Sequence, residues 1–206
     1  MINRLAPPSV ELNFRQRWAN YITIFVALIG LAGGLILRNS YENSTQRYEN
    51  SEVGIAVRYP SNWLLDESPA GTRSDYIVRM QDPIAVPFKT TLQISLLAVG
   101  PDAHLSDIPD LLNLTRASSF ATYRPLPVTP VVLPNGSQGI QMNYAYVATE
   151  TNPALQSVPI VVQAEDVIVL RGTQAFVITY RADAQSFAAN LHYFDSFLRS
   201  VEQVYS

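Results

Sequence analysis

The chain has 206 residues, 48 % hydrophobic and 15 % charged, a net charge of −3 and no cysteine. The missing cysteine excludes disulfides, thiol catalysis, iron–sulfur ligation, covalent haem attachment and an acylated cysteine, so any membrane link must be polypeptide. Lys89 is the only lysine and no basic cluster lies beyond the amino-terminal tail, which excludes an ordinary nucleic-acid reader.

Residues 1–17 form a polar tail with Arg4, Arg15 and Arg17 against Glu11. From Trp18 to Leu37 there is no charge, and Arg38 closes the run, whose heart is Ile22–Leu37, ITIFVALIGLAGGLIL. Twenty helical residues rise about 30 Å, the thickness of the hydrocarbon of a bilayer. The sequence therefore predicts a transmembrane helix over 18–38. Arginines and the amino terminus outweigh Glu11 before it, whereas Arg38 and Arg47 are met by Glu42, Glu49 and Glu52 after it. That bias places the amino terminus in the cytoplasm and the bulk of the chain beyond the plasma (inner) membrane. The apolar run exceeds that of a signal peptide and no small-x-small cleavage site follows, so an uncleaved, single-pass anchor is expected. Gly30 and Gly34 form a GxxxG pair with Ala27 one turn earlier. Small residues at that spacing admit a second helix, which makes Ala27, Gly30 and Gly34 a candidate packing interface. The plainer reading is that glycine is simply common in membrane helices.

Residues 39–51 are polar and lack apolar periodicity, predicting a tether, and a domain over 52–206 follows. Ile55–Tyr59 alternates as a half-buried strand ended by Pro60. Tyr76–Met80 and Thr91–Val99 are further strands, with a loop bracketed by Pro83 and Pro87 between them. His104–Phe120 changes to helical spacing at Ile108, Leu111, Leu112 and Thr115, with Ser106 or Asp107 as cap and Pro109 in the first turn. The prolines at 125, 127, 130 and 134 suggest an edge strand or an extended crossing, then a turn at Leu133–Gly136 and a strand at Gly139–Ala148. Pro159–Ala164 and Val167–Arg171 read as strands separated by a bend at Glu165–Asp166, and Ala175–Arg181 returns antiparallel. A final helix, capped by Asp183, carries Phe187, Leu191, Phe194, Leu198 and Val201 on one face. The expected class is α+β: a mainly antiparallel sheet of six or seven strands covered by at least two helices.

The stretch Tyr48-Glu-Asn-Ser-Glu-Val-Gly54-Ile-Ala-Val-Arg-Tyr59-Pro60-Ser-Asn-Trp63 resembles the opening of PsbP-like domains. There, a glycine precedes a short strand ending in Tyr-Pro and a tryptophan follows. The hairpin Val167–Arg181 followed by a Phe-rich helix is similar to the close of that domain, so the resemblance covers about residues 46–204. It implies the αβα sandwich shared by PsbP-like and Mog1-like domains, which mostly serve as accessory subunits of membrane complexes and share no catalytic apparatus. It carries over no functional residues; Gly54 suits a bend, and Tyr59 and Trp63 suit core or rim.

Catalytic and metal chemistry finds little footing. His104 with Asp102 and Asp107 could make a weak oxygen-rich metal site, but a loop or helix cap is the plainer reading. His192, near Asp195, flanks the apolar face of the last helix and reads as a surface residue. No nucleophile elbow, GxGxxG or P-loop occurs. Asn43, Asn113 and Asn135 open sequons at about the frequency of chance. Tyr144 and Tyr146 share a strand face and could dock a partner, though packing beneath a helix is the simpler use. The expectation is a non-catalytic accessory or structural subunit without cofactor or metal. Its helix would pack in the lipid bilayer against other transmembrane subunits of a complex, one in a respiratory or photosynthetic electron-transfer chain. The alternative is an anchored extracytoplasmic module that holds a small apolar ligand or lipid between sheet and helix.

Overall fold

The computed structural model describes residues 14–42, 44–68, 75–149 and 158–203. The chain divides into two compact units, 1–44 and 45–206.

The first unit contains helix α1, Phe14–Glu42. Its described side chains are Phe14, Trp18 and Tyr21–Leu35, and all are exposed except the half-buried Gly33. Among the described residues no helix is long and apolar enough to cross a membrane. The expected span 18–38 lies within α1. Arg4, Glu11 and Asn43 lie outside the described residues.

The second unit opens with β1 (Thr45–Asn50), paired antiparallel with β2 (Ile55–Pro60). The tether expected over 39–51 is thus corrected: α1 reaches Glu42 and β1 takes up 45–50. Tyr48 is the one buried residue of β1, so no apolar alternation marks this strand in the sequence. Gly54 turns the chain at φ +68°, a left-handed conformation that suits glycine, and Tyr59 and Trp63 are both buried.

The main sheet is built from β3 (Leu64–Glu67), β4 (Val78–Gln81), β5 (Thr91–Ala98), β6 (Ala121–Val132), β7 (Gln138–Thr149), β8 (Pro159–Arg171) and β9 (Gln174–Asp183). Its seven strands run β3-β4-β5-β9-β8-β7-β6 with every neighbouring pair antiparallel. A second sheet joins β1, β2 and the short β10 (Glu202–Gln203). The expected bend at Glu165–Asp166 is absent. β8 is one continuous strand because β7 and β9 pair with it through both residues, leaving no gap in either ladder.

Alternation along β8 and β9 separates two cores. Val167, Phe176, Ile178 and Tyr180 pack toward helix α3 (Phe187–Arg199) and the small sheet. Val162, Ala164, Ile168, Ala175 and Val177 pack on the opposite face with Ile108 of helix α2 (Ile108–Ser119). Helices on both faces make the unit an αβα sandwich.

On α3, Phe187, Phe194 and Phe197 are buried, with Leu191, Leu198 and Val201 packed beside them. Its cap position is Ser186. Asp183 instead ends β9 and accepts a hydrogen bond from the Gln185 N–H at 2.9 Å, which corrects the expected cap. On α2, Ile108 is buried and Leu112 partly so, but Leu111 is exposed and leaves the expected apolar face. β6 is the edge strand that its prolines suggested, with register shifts at Ala121–Arg124 and Pro125–Val128.

Candidate functional site

Period-two geometry gathers polar residues at one end of the α2-facing side of the sheet. Arg79 on β4 pairs in register with Gln93 on β5, Gln93 with Thr179 on β9, and Thr179 with Asp166 on β8. Arg181 follows Thr179 on the same face of β9. Arg116, in the last turn of α2, extends the stripe of Ile108 and Leu112 at steps of four and so faces the sheet.

Asp166 is wholly buried and ion-paired with Arg116. The Arg116 guanidinium also lies 4.3 Å from the centre of the Tyr144 ring, an attractive stacking for a cation. Burial pushes the Asp166 carboxyl up, against the opposing pull of Arg116, Thr179 and Arg181. Burial depresses Arg116, but the Asp166 charge and Tyr144 outweigh it and leave the guanidinium above its ordinary value. Burial also raises the Tyr144 hydroxyl far above its usual range, so the ring acts as a neutral wall.

Beside this pair, one Gln93 Oε1 accepts from Arg79 Nε at 3.1 Å and from Arg181 Nη2. The Gln93 amide is held by Ser95 Oγ at 2.9 Å and the Asp75 carbonyl at 3.4 Å. Arg79 lies 3.9 Å over the Tyr76 ring. Its guanidinium is lowered by burial and by the like charge of Arg181. Among the described residues the buried Nε of Arg181 donates to nothing, and Asp166 Oδ1 accepts no hydrogen bond. These groups line a cleft of about 400 Å³ between α2 and the sheet, closed on its apolar side by Leu97, Leu112, Phe120 and Val177. On the opposite face a void of about 40 Å³ lies near Ile55, Leu133 and Phe176, and an open, mostly polar cleft of about 500 Å³ runs beside Glu49, Glu67, Tyr76 and Leu96.

The residues singled out in the sequence lie elsewhere. Ala27, Gly30 and Gly34 are exposed on α1, with nothing beyond the local helix within 4 Å of where a Cβ on either glycine would stand. His104 is exposed, and its backbone N–H donates to Asp107 Oδ2 at 3.3 Å, the cap role rather than a ligand set. His192 is exposed, with Nδ1 2.9 Å from the Ala189 carbonyl. Tyr144 and Tyr146 are buried, the latter stacked at 4.2 Å on Phe120, so they pack under the end of α2. Glu165 and Asp166 point to opposite faces, as a continuous strand requires. Sequence reasoning missed Arg79, Gln93, Arg116 and Arg181. The one available signal was Arg116 itself, a charge lying on the apolar stripe of α2.

No family model matches the chain, and no curated protein matches its sequence. Solved structures do match in fold. Cyanobacterial PsbP (CyanoP) from Synechocystis superposes with a TM-score of 0.56 at 14 % identity, over 78 % of this chain and 92 % of that one. The Ran-binding protein Mog1p of Saccharomyces cerevisiae gives 0.50 at 14 %, over 78 % and 96 %. LpqN of Mycobacterium tuberculosis, involved in cell envelope biogenesis, gives 0.51 at 11 %, over 79 % and 93 %. The fold is therefore that of PsbP-like and Mog1-like domains.

Proposed function

We propose that the chain is a non-catalytic accessory subunit of a membrane complex, held by its amino-terminal helix with the α+β domain outside the plasma (inner) membrane. The reading rests on one observation: every described apolar side chain of α1 is exposed, and the Ala27, Gly30, Gly34 line is unobstructed. Such a surface needs a cover, and lipid together with a neighbouring helix supplies one. The Ile22–Leu37 run supports the span, and the arginine bias supports the orientation. The structural likeness to LpqN agrees with a place at the cell envelope. The resemblance to PsbP-like domains favours an electron-transfer chain as the complex.

Extraction in mild detergent tests this. Recovery in the membrane fraction with co-migrating subunits supports the reading, and recovery as a lone monomer would sink it. The cysteine-free chain makes the orientation simple to probe. A single S9C variant should resist a membrane-impermeant maleimide added to intact cells or spheroplasts, whereas T173C should react. The opposite pattern overturns the topology.

A further inference from the structure

We propose that the cleft beneath α2 is a binding site for a small amphipathic organic anion, with its oxyanion on Arg79 and Arg181 and its apolar part against Leu97, Leu112 and Phe120. The arrangement of charge argues for it. Arg116 has a full counter-charge in Asp166, but Arg79 and Arg181 converge on one uncharged acceptor, Gln93 Oε1. Two guanidiniums that share a neutral oxygen repel each other: burial first, and then the like charge of Arg181, lower Arg79, against the opposing pull of Tyr76, Asp66 and Asp75. The fold holds them together all the same, on β4 and β9, the two strands that flank Gln93 on β5.

A buried donor left without a partner costs about 1–3 kcal/mol, so Arg181, whose Nε donates to nothing among the described residues, is short of an acceptor. Guanidinium forks match planar oxyanions, and a negative head between the two would relieve the repulsion. The remaining wall mixes Leu97, Leu112, Phe120 and Val177 with the hydroxyls of Ser95, Thr115 and Ser119 and with Asp75 at its rim, and a cleft of about 400 Å³ falls within the range of small-molecule sites. This ligand differs from the small apolar molecule or lipid of the alternative reading, because the cleft beneath α2 carries charge.

Equilibrium dialysis of the purified full chain, in nanodiscs or in buffer, tests the site with hexanoate, hexan-1-ol, hexylamine and inorganic phosphate as probes. Saturable hexanoate retention, about tenfold or more above that of hexan-1-ol and absent for hexylamine, is the expected result. R79Q and R181Q should each weaken hexanoate by about tenfold. L112N should weaken hexanoate while leaving phosphate unchanged. Phosphate retained as tightly as hexanoate overturns the amphipathic assignment. Equal retention of hexanoate and hexan-1-ol, or of neither, overturns the site. That comparison uses the native chain and holds even if an arginine variant fails to fold. The outcome does not depend on where α1 resides.

Discussion

The guanidinium of Arg116 reaches from the last turn of α2 to the wholly buried carboxylate of Asp166 on β8, joining helix to sheet by a charge pair across fifty residues of sequence. An ion pair this deep owes its effect to completeness. Removing Arg116 as R116M strands a carboxylate away from water and is expected to cost about 3–5 kcal/mol. The double variant R116M/D166L should recover most of that loss, because both charges leave together. Urea denaturation of the four proteins checks it, and a coupling energy below about 0.5 kcal/mol would mean the pair is incidental.

Glu165, one residue earlier, faces the α3 side of the sheet. Burial and the nearby charge of Asp195 push its carboxyl up to about 7, against the opposing Gln141 amide. An acid raised in the folded state favours folding when protonated. Its contribution is complete below the unfolded value near 4.5 and is lost as pH climbs through about 7. Between about pH 5 and about pH 8 the native chain should lose on the order of 1 kcal/mol relative to E165Q, a figure reduced for its partial exposure. Denaturation midpoints of the two proteins at both pH values would reveal it; parallel curves would refute it.

Gly139 is required by space rather than by conformation. A Cβ there would stand 2.9 Å from the Ile168 carbonyl oxygen and 2.9 Å from Leu133 Cδ1. The backbone partner cannot step aside as a side chain can. G139A should destabilise the domain by about 1–3 kcal/mol, seen as a lower thermal midpoint without altered spectra at low temperature.

The G30L/G34L variant tests the α1 surface. Under the proposed function, recovery of partner subunits should fall by about tenfold, roughly 1.4 kcal/mol of lost helix packing. The melting of the 45–206 unit should be unchanged. Undiminished co-purification would remove these glycines from the interface.

Legibility followed burial pattern. β5, β7 and β9 each keep an apolar residue at every second position, and α3 keeps its phenylalanines at helical steps, so all four were readable. β1 carries one buried tyrosine, and β3 exposes all four of its residues, so neither shows a period. Asp166 looked like a turn signal because a lone sequence does not reveal that Arg116 will be opposite it. The cleft shares that obscurity. Arg79, Gln93 and Arg181 come from three strands, and only the strand order makes them neighbours.

The two margins of the main sheet also bear on how copies of this protein meet. At β6, Pro125, Pro127 and Pro130 lack the N–H that an incoming strand must find, and two register shifts twist the margin away. At β3 the margin is only four residues long and ends in Asp66 and Glu67. Neither offers a template for zipping onto a stranger. Under the proposed function, which would concentrate copies in two dimensions along a bilayer, such margins would guard against aggregation.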